Sequence, residues 1–483
     1  MIWRWLARHA EAAPGRMALR FDGEVIRYGA LARSADDLAS RLVAAGVARG
    51  DRVGFLGHND PAQLVLLFAC ARLGAIQVPL NWRLAAPELR FMLADAGARL
   101  LLATTGLRRA AEAAAPPGCT VIGAAELCAT SPLPAPGIEE DPLLLVYTSG
   151  TTGRPKAAVL DQRAVHVNAL NALHAFAMTA ADRVLTVLPL FHVGGLNIQT
   201  TPALYVGAEV ILHPRFDADR FFDSIETERP TLSLLVPAVM KALVEHPRWR
   251  AADLGCLRAV GAGSSVVPLP LIEAFHAKGV PVQQIYGATE TCPIAIVQSR
   301  REALAAPGSI GSPALHAECR IVDANGAVLA PGGVGEIQVR GPSVLRGYWG
   351  QGSPLLPGGW FPTGDVGRTD GDGRWWFTDR SKHVIISGGE NIYPAELERL
   401  LSDAPGVAEC AVVGRPDPRW GEVPVAVVVP GPAFDAGRVM AFLEGRIARF
   451  KMPRALIPVA TLPRTALGKV AMAELRAVVA AAP

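Results

Sequence analysis

The stretch Tyr147-Thr-Ser-Gly-Thr-Thr-Gly-Arg-Pro-Lys-Ala-Ala-Val159 directly follows the apolar run Leu143–Val146. Residues 148 to 153 are all hydroxyl or glycine residues, so this segment offers many N–H and O–H donors with little side-chain bulk. A loop of this kind after a buried strand can wrap phosphate oxygens, and Lys156 adds a positive charge. It is not a Walker A loop, because Gly153 is followed by Arg-Pro-Lys-Ala. For the Ser/Thr/Gly run alone, an ordinary polar turn is the alternative.

Upstream of this loop the chain alternates strand-like and helix-like segments. Arg52–Leu56 and Ala75–Pro79 are short apolar runs that predict strands. Between them Asp60 precedes a proline, as at a helix start, and Leu64–Leu73 reads as a helix that Gly74 ends. The same order of strand-like and helix-like segments recurs over residues 84–103, 209–236 and 257–286. Its strands lack polar alternation, which favours parallel sheets covered on both faces, so we predict an α/β fold.

The pattern of apolar and turn-forming residues changes in the last third of the chain. After Gly308, short alternating segments broken by glycine and proline predict a small β-rich subdomain, with strands at Cys319–Val322 and Gly335–Arg340. Beyond Asp379 the pattern becomes α+β. It predicts a helix over 394–402, strands over 407–413 and 423–429, and a helix near 435–448. We therefore predict an N-terminal domain over 1–380 and a small mobile C-terminal domain over 381–483.

Length and composition narrow the class of protein. A chain of 483 residues corresponds to about three folding units. Hydrophobic residues make up 50% and charged residues 19%, and 47 Lys+Arg against 44 Asp+Glu leave +3, which argues against disorder and against nucleic acid as a partner. The seven cysteines form no Cys-x-x-Cys pair, as expected in a reducing compartment. Arg4 and Arg8 interrupt any signal-peptide core, and no stretch predicts a transmembrane segment, so we expect a cytoplasmic protein.

Five ordered segments together resemble the adenylate-forming superfamily, which comprises acyl- and aryl-CoA synthetases, luciferases and the adenylation domains of peptide synthetases. These segments are Tyr147–Val159, Gln283–Thr291, Gly359–Asp365, Asp379–Glu398 and Pro463–Lys469. The resemblance spans nearly the whole chain. In this superfamily a carboxylate attacks the α-phosphate of ATP, and catalysis consists mainly of neutralising and aligning two anions.

The resemblance implies a nucleotide site. The phosphate-binding residues would be Thr148, Ser149, Gly150, Thr151, Thr152, Gly153 and Lys156. Glu290 would bind Mg²⁺ and Thr289 the α-phosphate, although a surface carboxylate after a strand is the alternative for Glu290. Asp365 would accept the ribose hydroxyls, supported by Arg380; such a pair is otherwise a surface ion pair. The adenine would lie between Tyr286-Gly287 and a small turn that contains Gly261, Ala262 and Gly263.

The resemblance also implies a catalytic lysine and a CoA site. Lys469 would stand between the substrate carboxylate and the α-phosphate. Family members then rotate the C-terminal domain about a hinge that matches Lys382, which brings a loop with Gly388 and Gly389 to the pantetheine tunnel. Trp420 would stack on the CoA nucleotide, and a buried structural tryptophan is the alternative. His192 lies in the segment expected to line the acyl pocket, as a gate or wall.

We therefore predict an ATP-dependent carboxylic acid–CoA ligase that uses ATP, Mg²⁺ and coenzyme A and forms an acyl-AMP intermediate. The predicted substrate is an apolar aromatic or medium-chain monocarboxylic acid, because Leu196–Leu204 offers no basic partner for a second carboxylate. Arg215 and Lys241 stay open as such partners. Transfer to a carrier protein is the alternative function, and a catalytically dead nucleotide-binding scaffold is a rival of another class. The oligomeric state, a homodimer included, is left open.

Overall fold

The computed structural model describes the chain except residues 85, 149–154, 264–265, 381–384, 388–389, 393, 418–419, 445, 448, 466–468 and 483, and except the side chains of residues 379, 380, 386, 390, 391, 396 and 450. The chain divides into two compact units. Unit 1 comprises Met1–Arg320, Gln338–Pro362 and Gly373–Trp375, and unit 2 comprises Ile321–Ile337, Thr363–Asp372 and Trp376–Pro483.

The helices are α1 (Trp3–Ala12), α2 (Tyr28–Ala44), α3 (Pro61–Leu73), α4 (Ala86–Ala96), α5 (Arg108–Ala114), α6 (Gln162–Phe176), α7 (Val193–Gly195), α8 (Thr201–Val206), α9 (Ala218–Thr227), α10 (Pro237–Val244), α11 (Leu269–Ala277), α12 (Arg300–Ala305), α13 (Pro394–Ser402), α14 (Ala436–Leu443) and α15 (Met472–Ala481). The strands are β1 (Met17–Phe21), β2 (Glu24–Arg27), β3 (Arg52–Leu56), β4 (Ile76–Leu80), β5 (Leu100–Ala103), β6 (Thr120–Ile122), β7 (Pro142–Thr148), β8 (Lys156–Asp161), β9 (Arg183–Thr186), β10 (Glu209–Leu212), β11 (Leu232–Leu235), β12 (Ala259–Gly263), β13 (Val282–Tyr286), β14 (Ile296–Val297), β15 (Ser312–Pro313), β16 (Glu318–Val322), β17 (Gly335–Arg340), β18 (Gly347–Tyr348), β19 (Phe361–Thr369), β20 (Trp375–Arg380), β21 (Ile385–Ser387), β22 (Glu390–Ile392), β23 (Val407–Asp417), β24 (Gly421–Pro430) and β25 (Leu456–Pro458).

Unit 1 contains two large sheets. One has nine strands in the order β15-β14-β13-β12-β11-β9-β10-β1-β2, and the other has seven in the order β18-β8-β7-β4-β3-β5-β6. The central pairs β11·β12, β12·β13 and β9·β10 are parallel, and antiparallel pairs lie towards the ends of the nine-stranded sheet. Parallel strands joined by helices are buried on both faces, which explains their continuous apolar runs. The predicted α/β fold is confirmed.

The first predicted β-α-β unit shows why local sequence was sufficient there. The Asp60 side chain accepts a hydrogen bond from the Ala62 N–H at 2.8 Å and so begins α3, whose first residue is a proline. Gly74 ends the helix with φ of 70°. The strand that follows runs over Ile76–Leu80, one residue later than predicted.

The end of the chain has the predicted α+β character. The β-rich segment after Gly308 forms the four-stranded sheet β16-β17-β19-β20, and the C-terminal sheet has the order β22-β21-β24-β23 with β25 beside β24. Alternate residues of β23 and β24 enter two cores: Val412 packs with residues of α13 and α14, and Val413 with residues of α15. The predicted helix over 435–448 is wrong beyond Leu443, because Glu444 is extended at φ −58°, ψ 131°.

Two features of the structure relate to the compartment expected from the sequence: its helix lengths and its cysteines. In the part of the chain that the structure describes, no helix is long and apolar enough to cross a membrane. The seven cysteines are free thiols. The boundary predicted at residue 380 adjoins residues 381–384, which are outside the described residues, and it stays a prediction.

Candidate active site

The base of the predicted phosphate loop is a hairpin in unit 1. Strand β7 ends at Thr148 and β8 begins at Lys156, and these two residues lie opposite each other in an antiparallel pair. The Thr148 hydroxyl donates to the Lys156 carbonyl at 3.4 Å. The residues between them that carry most of the predicted phosphate contacts are Ser149, Gly150, Thr151, Thr152 and Gly153, which lie outside the described residues.

A cation, an aromatic ring and a carboxylate meet next to this hairpin. Strand β18 pairs antiparallel with β8, which places Tyr348 opposite Ala158. The Tyr348 hydroxyl donates to Oε1 of Glu290 at 2.8 Å, and Nζ of Lys156 lies 5.6 Å from the Tyr348 ring centroid. Burial, and then the Glu290 carboxylate, raise the pKa of Tyr348, so the phenol stays protonated and donates. The structure thus brings the predicted residue Glu290 to the hydroxyl, and the predicted residue Lys156 to the ring, of one tyrosine.

Sequence reasoning missed Tyr348. The available signal was an aromatic pair, Tyr348-Trp349, between two glycines and well separated from the matching motifs. Nothing local shows that this pair belongs to β18 or that β18 lies beside β8.

The segment after β13 is shaped by close contacts that present Thr289 and Glu290. A Cβ on Gly287 would lie 1.6 Å from the Pro293 carbonyl oxygen, so only glycine fits there. The buried Thr291 hydroxyl accepts from the Ala288 N–H at 2.9 Å and donates to the Pro293 carbonyl at 3.1 Å. These bonds close a 3₁₀ turn over Thr289–Thr291 in which Thr289 and Glu290 are half-buried. The Glu290 carbonyl also accepts from the Leu345 N–H at 2.8 Å.

The predicted turn over residues 261–265 is wrong for Gly261, Ala262 and Gly263. These residues are the last three of the buried strand β12, which is parallel to β13, and residues 264–265 lie outside the described residues. A Cβ on Gly263 would lie 2.6 Å from the Ile285 carbonyl oxygen. The small side chains therefore meet a packing requirement of the sheet. Tyr286, the predicted adenine neighbour at the end of β13, is buried with 8% exposure.

The predicted acyl segment is a tightly wound stretch of unit 1. His192 is half-buried, its N–H bonds to the Pro189 carbonyl at 3.3 Å, and its ring centroid lies 4.5 Å from that of Phe191. The helix α7 continues into a π-helical turn over Leu196–Thr200 and then into α8. Such π turns are frequent at functional sites.

Buried asparagines join this acyl segment to the Glu290 segment. Asn197 of the π turn donates to Sγ of Cys292 at 3.6 Å. Asn168 of α6 donates to the Asn197 carbonyl at 2.6 Å and accepts from the Ile294 N–H at 3.0 Å. Because both asparagines are fully buried, these bonds hold the two segments in one arrangement.

Unit 2 carries the predicted ribose contact. Asp365 is 7% exposed and lies in β19. The Thr363 hydroxyl donates to the Ile337 carbonyl at 2.6 Å and accepts from the Asp365 N–H at 3.1 Å, while Glu336 accepts from the Gly364 N–H at 3.0 Å. Gly364 has φ of 69°, which favours glycine at the centre of this motif. The side chain of Arg380 is outside the described residues.

Unit 2 also carries the predicted catalytic lysine. The Thr465 N–H bonds to the Lys469 carbonyl at 2.7 Å, and Arg464 and Val470 form an antiparallel bridge. Arg464 forms an ion pair with Glu409 of β23 at 2.7 Å. The loop is thus closed at its base, and the Lys469 side chain is exposed.

The predicted CoA residues also belong to unit 2. Trp420 lies at the end of the β23–β24 hairpin, where Asp417 pairs with Gly421, and it is 38% exposed. The alternative of a buried structural tryptophan is therefore wrong. Strands β21 and β22 pair with Ser387 opposite Glu390. Gly388 and Gly389 between those strands, and Lys382 at the predicted hinge, lie outside the described residues.

The donor set near Glu290 fits Mg²⁺ that arrives with a nucleotide. Magnesium bound to nucleotides usually takes one or two carboxylates, substrate phosphates and several waters. Among the described residues no group of three or more His, Cys, Asp or Glu side chains forms a metal cluster. Glu290 can accept from Tyr348 and still ligate a cation, because a carboxylate has lone pairs for both.

The chain belongs to the AMP-binding enzyme family. The model of that family matches residues 6–349, and the model of the AMP-binding enzyme C-terminal domain matches residues 396–469. The chain is 49% identical to indoleacetate–CoA ligase of Aromatoleum aromaticum, over 99% of this chain and 98% of that protein. It is 42% identical to feruloyl-CoA synthase of an Amycolatopsis species, over 98% of each chain.

A solved structure is similar over most of the chain. The o-succinylbenzoate CoA synthetase of Bacillus subtilis, in complex with its acyl-adenylate intermediate, has a TM-score of 0.90 and 32% identity, over 98% of this chain and 97% of that chain. The same enzyme has been solved with ATP and magnesium ion. The predicted enzyme class is confirmed: the chain is an AMP-forming acid–thiol ligase whose cosubstrates and metal are ATP, CoA and Mg²⁺.

Proposed function

We propose that this ligase activates an aromatic monocarboxylic acid and that the residues named above carry the reaction. The observation that supports this most directly is the contact of Tyr348 with both Glu290 and Lys156. It brings a cation and a carboxylate together beside β8, the strand that follows the hydroxyl-rich segment, as binding of a metal–triphosphate requires. The two relatives of highest identity among those named act on indoleacetate and form feruloyl-CoA, and both acids are aromatic.

In the first half-reaction the carboxylate of the acid attacks the α-phosphate and pyrophosphate leaves. Lys156 and the donors of residues 148–153 bind the β- and γ-phosphates, and Thr289 binds the α-phosphate. Glu290 holds Mg²⁺, which supplies neutralisation of phosphate charge when bound. Asp365 accepts the ribose hydroxyls with help from Arg380, and Tyr286 and Gly287 contact the adenine. Gly261, Ala262 and Gly263 form the C-terminal end of β12, and we propose that this end of the strand borders the adenine.

In the second half-reaction the CoA thiol attacks the acyl carbonyl and AMP leaves. We propose that Lys469 acts only in the first step, where its cation lies between the substrate carboxylate and the α-phosphate. We propose that Lys382 is the hinge between the two steps, that Gly388 and Gly389 line the path of the pantetheine, and that Trp420 stacks on the CoA nucleotide. The exposure of Trp420 agrees with this role. A cytoplasmic location stays a prediction from the sequence, and the oligomeric state, a homodimer included, stays open.

We expect dicarboxylates to be at least about a hundredfold worse than apolar aromatic acids in kcat/KM, equal to about 2.7 kcal/mol. A second carboxylate would be buried beside Leu196–Leu204, which offers no basic side chain to pair its charge. Two basic residues were left open as partners of a second carboxylate. Nζ of Lys241 lies 3.9 Å from Oε1 of Glu245, the residue that follows α10, and Arg215 is exposed. Arg83 is a further basic residue near the predicted acyl segment, since its guanidinium carbon lies 5.6 Å from the Phe191 ring centroid.

The test is pyrophosphate release with indole-3-acetate, 4-hydroxycinnamate, octanoate, malonate and 2-succinylbenzoate, each with and without CoA. Turnover that requires CoA and is fastest with an aromatic monocarboxylate supports the proposal. A dicarboxylate as the best substrate would overturn it. Release that CoA does not stimulate would favour transfer to a carrier protein.

A further inference from the structure

The π turn of the acyl segment buries an amide that lacks a hydrogen-bond partner. Gln199 is 2% exposed, and within the described residues neither its Nε2 nor its Oε1 has a hydrogen-bond partner. Other buried glutamines of unit 1 are bonded through at least one atom: Gln283 donates to two carbonyls, and Gln298 donates to Ala306 and accepts from the Gln284 N–H. Gln77 lacks a partner for Oε1 but donates through Nε2 to the Gln63 carbonyl. An unpaired amide at such a position calls for an explanation, because buried polar groups are nearly always paired.

Gln199 lines a small internal cavity of about 10 Å³ next to the predicted acyl segment. Leu185, Leu188 and Leu234 supply apolar walls, and Gly195, three residues after His192, lies at its edge. The two lining threonines are satisfied, since Thr186 and Thr200 bond each other at 2.8 Å and Thr200 donates to the Gly195 carbonyl at 2.7 Å. A cavity of this size holds about one non-hydrogen atom. Its unsatisfied polar group is therefore the Gln199 amide.

Two glycines maintain this arrangement. A Cβ on Gly195 would lie 2.2 Å from the Pro189 carbonyl oxygen, so the chain packs on itself there without a side chain. A Cβ on Gly261 would lie 3.2 Å from Nε2 of Gln199, tighter than ordinary contact. The absence of a side chain at Gly261 thus leaves room for the amide.

We propose that Gln199 is a specificity-determining residue that binds one polar atom, a hydroxyl or a ring N–H, on the aromatic acid. This rests on the proposed function, since it places the acid beside the His192–Gly195 segment. Gly195 lies at the edge of the cavity, so a substituent of an acid bound beside this segment comes close to the Gln199 amide. The ring itself is too large for 10 Å³, but a single substituent atom fits. Oε1 accepts from an O–H or N–H, and Nε2 donates to a hydroxyl oxygen.

The test compares acids that differ only in this atom. The hydroxyl pair is 4-hydroxycinnamate and 4-fluorocinnamate, and the N–H pair is indole-3-acetate and benzothiophene-3-acetate. In the wild-type enzyme we expect kcat/KM to favour the polar member of at least one pair by about tenfold or more, because its absence leaves the amide unpaired. The pair with the larger ratio of kcat/KM, polar acid over apolar acid, shows whether Gln199 binds a hydroxyl or a ring N–H.

In Gln199→Met, which has similar length and no polar atoms, we expect the ratio to fall to within about twofold while the apolar acid retains its turnover. The matched control is Gln298→Met, which removes a fully bonded amide and should lower Tm but leave the ratio unchanged. A wild-type ratio near one for both pairs, or a ratio that survives in Gln199→Met, would overturn the proposal and leave an internal water as the partner of the amide. If no aromatic acid yields a CoA thioester, it is the proposed function that fails.

Discussion

In Lys469→Ala we expect acyl-AMP formation to fall by roughly three orders of magnitude, about 4 kcal/mol, while thioester formation from supplied acyl-AMP stays near the wild-type rate. The lysine is predicted to stabilise a transition state that occurs only in the first half-reaction. Its loop is held by the Arg464–Val470 bridge, the Thr465 N–H bond to the Lys469 carbonyl and the Arg464–Glu409 ion pair. These three contacts do not involve the Lys469 side chain, and the substitution leaves them in place.

Two measurements separate the half-reactions: ATP–pyrophosphate exchange for adenylation, and CoA thioester formation from synthetic acyl-AMP. Arg476→Ala is the matched control, because it removes an exposed cation from α15, the helix that follows the loop. It should leave both rates within about twofold of wild type, as surface substitutions usually do. Equal losses in both assays for Lys469→Ala would contradict a role confined to adenylation.

In Glu290→Gln we expect adenylation to fall on the order of a hundredfold, and the Mg²⁺ concentration for half-maximal rate to rise at least about tenfold. Glutamine has nearly the same size and keeps an oxygen that can accept from the Tyr348 hydroxyl, whose present bond to Oε1 is 2.8 Å. The substitution therefore removes the charge of the proposed metal ligand and spares the local structure.

Tyr348→Phe is the complementary variant, because it removes the bond to Glu290 and keeps the carboxylate. We expect its adenylation rate to stay within about tenfold of wild type, with a nearly unchanged Mg²⁺ requirement. Mg²⁺ titrations of the adenylation rate show whether Glu290 binds the metal or only supports the turn. If Tyr348→Phe is as impaired as Glu290→Gln, or if Glu290→Gln leaves the Mg²⁺ requirement unaltered, Glu290 serves to support the turn and not to bind the metal.

Much of the fold was predictable because its signals lie within a few residues of each other. Asp60 and Gly74 mark the two ends of α3 through contacts that each helix end makes with its own backbone. The helix α13 was predicted with its observed bounds, Pro394–Ser402. The helix α14 was predicted too long, since an apolar pattern does not show that Glu444 turns the chain away after Leu443.

The sequence by itself determined the order of the motifs, the α/β class and the ligase family. Only the tertiary structure decided that Tyr348 reaches Glu290, 58 residues away, that Gly261–Gly263 belong to a buried strand, and that Gln199 faces a cavity with its amide unpaired. The physical reason is that capping and periodicity depend on neighbours along the chain, whereas these contacts depend on which strands are adjacent and in what register. Strand β18 beside β8 and β12 beside β13 are products of the packed core, and no short stretch of sequence encodes them alone.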